Sequence, residues 1–202
     1  MLMNSQTHFD QSASGWDNRP LSRQLAAIPD KLLAQLSLPP GAHVLDFGAG
    51  TGLLATALAP RVAQVTALDT SAEMLRVLAD KGFDNILTLQ QDIFAGLPAQ
   101  YDAVVSCMAL HHVADTEALF RVFADVLLPQ GELALVDLYA EDGSFHGDNE
   151  GKGVHHFGFD PGTLCQTAIA AGFTDVRISE ILQLQHRNGR SYPLLLLRAC
   201  KA

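Results

Sequence analysis

The 202-residue sequence predicts an α/β fold built on a doubly wound sheet. Three observations predict it. Strand-like and helix-like patterns alternate from Ala42 onward, as they do where parallel strands are joined by helical crossovers. An apolar strand, Val44 to Phe47, runs into Gly48, Gly50 and Gly52 and then into a helical segment with Leu53, Leu54, Ala55 and Leu58. Apolar residues make up 48% of the chain and charged ones 17%, which supplies a sizeable core and argues against disorder. The chain reads as one domain, 1–202, with an N-terminal helical cap segment over 1–40 and the α/β core over 41–202.

The elements follow in order. Leu21 to Leu36 reads as a helix with an apolar face. After the glycine turn, Thr70 and Glu73 have the spacing of a capping box, and Gly82 stops that helix. Asp115 can cap Thr116 to Leu127, whose Leu119, Val122, Phe123, Val126 and Leu127 recur at helical spacing. Pro129-Gln130-Gly131 then turns the chain. Ala140 to Phe159 reads as a long loop rich in Gly, His and Asp, and long loops in compact domains are often functional. Asp160 and Pro161 together open a helix that Gly172 ends. Val176 to Gln185 and Tyr192 to Cys200 flank Asn188-Gly189, a hairpin signal. No internal repeat or low-complexity tract interrupts the pattern.

The glycine turn carries the chemistry. Glycines let the backbone approach a ligand closely, and the N–H groups opening the next helix point at whatever lies over the loop. A nucleotide-like cofactor fits such a place. The dinucleotide fingerprint Gly-x-Gly-x-x-Gly fails at its third position, where Leu53 stands. Asp46, two residues before Gly48, would repel a pyrophosphate and favour a ligand bearing an ammonium group.

That pattern resembles motif I of the class I S-adenosylmethionine-dependent methyltransferases. Other segments are similar to the same family. Ala67 to Ser71 looks like the second strand, with Asp69 about 20 positions after Gly48, the spacing of a ribose-binding acid. Leu89 to Phe94 looks like the third strand and its exit. Tyr101 to Val113 looks like the fourth strand and the loop after it, and Gly131 to Asp137 like the fifth. The resemblance implies seven strands in the order 3-2-1-4-5-7-6, Rossmann-like, with the last strand antiparallel. It implies S-adenosyl-L-methionine as cofactor. Asp46, Gly48, Ala49, Gly50, Gly52 and Leu53 would then wrap its amino-acid tail, Asp69 and Thr70 the ribose, and Asp92 the adenine amino group. Met74, Ile93 and Met108 would complete the contacts, with Trp16 folding over the sulfonium and Arg19 or Arg23 clamping a carboxylate.

The exit of the fourth strand, Met108 to His112, would lie beside the sulfonium. It lacks an Asn-Pro-Pro-Tyr or Asp-Pro-Pro-Tyr signature, which argues against methylation of exocyclic base amines or glutamine amides. Leu110-His111-His112-Val113 resembles members acting on small molecules. Candidate bases are His111, His146, His155 and His156, with His112, Asp137 and Asp142 near them in sequence. No tight His-x-x-x-His pair organises these histidines, so no metal is expected.

Bulk properties narrow the partners. A net charge of −9 disfavours nucleic acid and anionic membranes. The acceptor is therefore expected to be a small molecule. Cys107, Cys165 and Cys200 are odd in number and widely spaced, which fits a reducing cytoplasm rather than a disulfide framework. The opening MLMNSQTHFD has no signal-peptide character, and the apolar run Pro193 to Leu197 is too short to span a bilayer. Two alternatives stay open at this point: a non-catalytic module that binds S-adenosylmethionine or a nucleotide, and a nicotinamide-dependent oxidoreductase, against which Leu53 and Asp46 weigh.

Overall fold

A computed structural model describes residues 5–97 and 99–202; the first four residues of the expected cap segment lie outside them. Seven strands form one sheet: β1 (His43–Phe47), β2 (Gln64–Asp69), β3 (Ile86–Gln90), β4 (Tyr101–Cys107), β5 (Leu127–Leu138), β6 (Phe173–Gln185) and β7 (Ser191–Lys201). Their order is 3-2-1-4-5-7-6. Strands β1 to β5 pair in parallel, and β7 runs antiparallel to both β5 and β6. This is the topology implied by the resemblance.

Helices cover both faces. They are α1 (Ser5–Ser12), α2 (Pro20–Leu25), α3 (Ile28–Leu33), α4 (Ala55–Leu58), α5 (Ala72–Ala79), α6 (Thr116–Val126) and α7 (Pro161–Ala170). Successive strand residues point to opposite faces, so each strand feeds two cores. Val44, Val65, Val105 and Val136 pack on one side with Leu32, Leu58 and Leu78. Leu45, Val104, Leu133 and Leu135 pack on the other with Phe120, Phe123 and Leu164. Burial on both faces explains why the central strands read as near-continuous apolar runs. Among the described residues no helix is long and apolar enough to cross a membrane, and the three cysteines are free thiols.

Local departures from expectation have physical causes. The single helix expected over Leu21 to Leu36 is two short ones, α2 and α3, separated at Ala26 and Ala27. Pro29 has no N–H to donate back to Leu25, and its ring crowds that carbonyl. Helix α5 is capped by Ser71 rather than Thr70: the Ser71 hydroxyl accepts from the Met74 N–H at 3.2 Å. Asp69 is responsible, because its carboxylate accepts the Ser71 N–H at 2.9 Å and holds Thr70 in the strand-to-helix turn. Strand β3 ends at Gln90, so Asp92 stands beyond it and caps a short 3-10 turn through the Phe94 N–H. Pro129-Gln130-Gly131 kinks β5 instead of preceding it, with Gln130 at φ +65° and a register shift opposite Tyr101 and Ala103. The caps Asp115 and Asp160 stand where expected, each accepting an N–H three residues on.

Candidate active site

A cavity of about 710 Å³ opens at the carboxyl ends of β1, β2 and β4, within the range of roughly 300–1,000 Å³ typical of small-molecule sites. Its floor is the loop after β1. Gly48 has φ +66°, and a Cβ there would collide with the Ala109 Cβ. The loop therefore packs directly on the exit of β4. The Ala49 N–H donates to the Leu68 carbonyl at 3.0 Å, and the Gly50 N–H donates to Asp69 Oδ2 at 2.8 Å. Both carboxylate oxygens of Asp69 are thus engaged by backbone, one on the loop and one on α5's cap, and burial pushes its pKa up.

Of the residues expected to hold the cofactor, Gly48, Ala49, Gly50 and Leu53 line this cavity from the loop. Asp69, Thr70 and Met74 line it from β2 and α5; Asp92, Ile93, Met108 and Trp16 line it from around the rim. Asp46 and Gly52 do not face it. Asp46 is buried beneath the loop, where it accepts the Ala55 N–H at 2.9 Å, and burial pushes its carboxyl up to about 8. It shapes the turn from below, at the N-terminus of α4. Gly52 turns toward α5, where a Cβ would meet the Leu78 side chain.

The segment from Phe9 to Arg23 straps over the cavity. Asp10 accepts from the Ser71 hydroxyl, and Asp17 accepts from the Thr51 hydroxyl and, at 2.8 Å, from Lys81 Nζ. Phe9 and Trp16 meet edge-on at 5.7 Å and both line the cavity. Arg19 stacks 4.3 Å over the Trp16 ring, while Arg23 reaches the cavity wall. Trp16 and the two arginines were legible in the sequence, whereas Asp10, Asp17 and Lys81 were not. Nothing in the local pattern marks those three, since their partners lie on other elements.

The histidines divide into three positions. His111 is buried, and its Nδ1 lies 2.7 Å from Asp137 Oδ1. Asp137 also accepts the Leu138 N–H at 2.7 Å and the His111 N–H at 3.3 Å. On its other edge, His111 Nε2 stands 3.0 Å from His146 Nε2. His112 forms part of the cavity wall, against Phe9, with ring centroids 5.2 Å apart. Its Nδ1 donates to the Gly153 carbonyl at 3.0 Å, which leaves Nε2 with a lone pair. Burial lowers its pKa to about 4. His155 is exposed, and the His156 Nε2 donates to the Val113 carbonyl at 2.9 Å. The backbone N–H groups of His155 and His156 both donate to the His111 carbonyl, so these two residues anchor the long loop rather than face the cavity.

Residues 45–135 match the sequence profile of a family described as a methyltransferase domain. A ubiquinone biosynthesis O-methyltransferase of Xanthomonas campestris pv. campestris (strain B100) is 33% identical over 175 residues, with 75% of this chain and 73% of that protein covered. Another from Xylella fastidiosa (strain M23) is 34% identical over 136 residues, covering 62% of this chain and 55% of that protein. Among solved structures, the DhpI complex with S-adenosylhomocysteine superposes with a TM-score of 0.75 at 26% identity, covering 99% of this chain and 96% of that one. A chain of the complex between the Haloferax volcanii Trm112 methyltransferase activator and a methyltransferase shares the fold, with a TM-score of 0.79 at 21% identity, covering 95% of this chain and 96% of that one.

Proposed function

Because the chain belongs to the S-adenosylmethionine-dependent methyltransferases, we propose that it moves the cofactor's methyl group to an oxygen of a small-molecule acceptor seated beside His112. The observation that carries this reading is the joint lining of one cavity by the β1 loop, Asp69, Met108 and His112. The β1 loop and Asp69 take the amino-acid tail and ribose of the cofactor, and Asp92 and Ile93 flank the adenine. The Arg23 guanidinium has no carboxylate partner among the described residues, which suits it to the cofactor's own carboxylate. Met108 and His112 then border the reacting end.

Methyl transfer is an in-line displacement from a good leaving group, so the protein mainly positions the partners and excludes water. Phe9 and Trp16 cover the cavity and supply that exclusion. His112 Nε2 accepts a hydrogen bond from the acceptor hydroxyl and aims its oxygen at the methyl carbon; as the oxygen–carbon bond forms, the carbon–sulfur bond breaks with its electron pair on sulfur, and the hydroxyl proton leaves through that hydrogen bond to solvent. An imidazole with a pKa of about 4 is neutral across physiological pH, so it is ready to accept that bond. The pair His111 and Asp137 stands behind it and fixes the strand exit, with His146 on its outer side. The −9 net charge and the family relationship to small-molecule O-methyltransferases favour a neutral or cationic acceptor over nucleic acid. Three free thiols suit a reducing cytoplasm.

The test has two steps. S-adenosylhomocysteine at saturating concentration should raise the thermal midpoint. Cofactor labelled in its methyl group should then transfer label to members of a panel of phenols and alcohols, and His112→Ala should lower that transfer at least 10-fold with cofactor affinity retained. Label passing only to amines or thiols would overturn the oxygen assignment. An unchanged rate in His112→Ala would overturn the placement of the acceptor.

A further inference from the structure

We propose that His111, His112 and His146 form a binding site for one divalent transition-metal ion at the wall of the cavity. Each residue offers a ring nitrogen, and the three atoms lie within 4.8 Å of one another. Sequence spacing does not bring these three together, because His146 comes from the long loop after β5 and the other two from the exit of β4.

The hydrogen bonds around the cluster orient it. His111 gives its Nδ1 to the buried Asp137 carboxylate, and His112 gives its Nδ1 to the Gly153 carbonyl. A metal-bound histidine nearly always engages its other nitrogen in this way, with a carboxylate or a backbone carbonyl, which fixes the tautomer and aims the lone pair. Here both lone pairs are on Nε2, and His111 Nε2 already lies 3.0 Å from His146 Nε2. Two nitrogens on one zinc ion, each about 2.0–2.1 Å from it, stand roughly 3.3 Å apart in tetrahedral geometry. The three ligand atoms lie within 4.8 Å of one another, so the third nitrogen needs to close in by up to roughly 1.5 Å. His146 is itself held on both sides: the Phe145 ring before it is buried against Tyr192, and Lys152 Nζ donates to the His146 carbonyl.

The three imidazoles crowd together with ring centroids 4.2, 4.8 and 5.7 Å apart. Neutral imidazoles are the form that binds zinc, nickel, copper or cobalt. Three protein ligands leave a coordination position for another molecule, the arrangement of catalytic rather than structural zinc. His112 belongs to the cavity wall, so that position is next to the acceptor. The catalytic use of the ion rests on the function proposed above. With the ion held on His112 Nε2, the acceptor hydroxyl binds the ion rather than that nitrogen and releases its proton to solvent more readily. Its oxygen forms the new bond to the methyl carbon as the carbon–sulfur bond breaks, and that electron pair stays on sulfur in S-adenosylhomocysteine.

The experiment is metal titration of the full chain, freed of any affinity tag and stripped with a chelator. Co²⁺ is the spectroscopic probe, and bound Zn²⁺ is counted by mass spectrometry. One equivalent should bind, with a visible absorption band, and affinity should fall at least 10-fold in His146→Ala while His155→Ala binds as the parent does. His112→Gln gives the same readout should His146→Ala fail to fold, and the thermal shift with S-adenosylhomocysteine reports folding in each variant. No saturable binding, or undiminished affinity in the folded His146→Ala or His112→Gln protein, would overturn the site and leave His111 and His146 as a hydrogen-bonded pair. That result is independent of methyl transfer: cofactor binding without metal sinks only the metal site, and metal binding without label transfer sinks only its catalytic use.

Discussion

The two ends of the cavity are built by different means. At the cofactor end, the turn between β1 and β2 is held by backbone N–H groups bonded to Asp46, Asp69 and the Leu68 carbonyl, all within about 25 residues of chain. At the acceptor end, His111, His112, Asp137, His146 and Gly153 are drawn from three separate segments and meet through side chains, apart from the Gly153 carbonyl that accepts from His112. The first end is a local device whose parts are contiguous in sequence. The second exists only once β4 and β5 are paired and the long loop is folded back. Changes at the two ends should therefore fail in different ways.

Asp137→Ala should have the largest effect on stability. It leaves the His111 ring, the His111 N–H and the Leu138 N–H without their buried acceptor, at a cost of about 3–5 kcal/mol. In a chain of this size the thermal midpoint should drop by roughly 10 °C. The contrast between the ends predicts that S-adenosylhomocysteine still binds; complete loss of binding would show that the two ends are one unit. Gly48→Ala should come next, at about 2–4 kcal/mol, from a left-handed alanine forced against Ala109. Here cofactor binding should vanish along with the stability. A retained thermal shift with ligand would mean that the loop adapts.

Asp69→Ala should weaken S-adenosylhomocysteine about 10- to 100-fold by calorimetry, as expected for one charged hydrogen-bonding group. Unchanged affinity would remove the ribose from that carboxylate.

The ends should also oppose each other in pH dependence. Asp46, raised from 3.8 to about 8 by burial, holds its proton in the folded state while the unfolded chain releases it, so its effect on stability worsens as pH rises from about 4 through 8. His112, lowered from 6.5 to about 4, refuses a proton that the unfolded chain accepts, so its effect worsens as pH falls from about 6.5 through 4. Between those windows' overlap the two cancel. The midpoint of cofactor-free protein should decline from pH 6.5 to 8, and Asp46→Asn should flatten that decline. The smallest effect belongs to His155→Ala, an exposed side chain that should change stability by less than about 0.5 kcal/mol and leave methyl transfer intact.

The same contrast explains what was legible in the sequence. The glycine turn and the acid at the end of β2 follow from patterns a few residues long, and the sheet order was implied by the family resemblance those patterns carry. Asp160 and Asp115 announce their helices for the same reason. His112 stood beside His111 in the chain, yet only the backbone path of the 3-10 turn over Leu110–His112 decides that His112 joins the cavity wall and His111 turns to Asp137. His155 and His156 looked equivalent to His146 as loop histidines. Their backbone bonds to His111 assign them to holding the loop, a distinction that no spacing rule contains. The straps through Asp10 and Asp17 were invisible because their partners, Ser71, Thr51 and Lys81, are more than 30 residues away.

One carboxylate, Asp69, tethers the Gly50 N–H with one oxygen and the cap of α5 with the other. The loop's conformational freedom is thus surrendered during folding rather than at binding, and an incoming nucleoside meets a rigid receptor with little ordering left to do. Hydrogen exchange at the Gly50 amide should accordingly be slow in the empty protein, and the entropy of cofactor capture small.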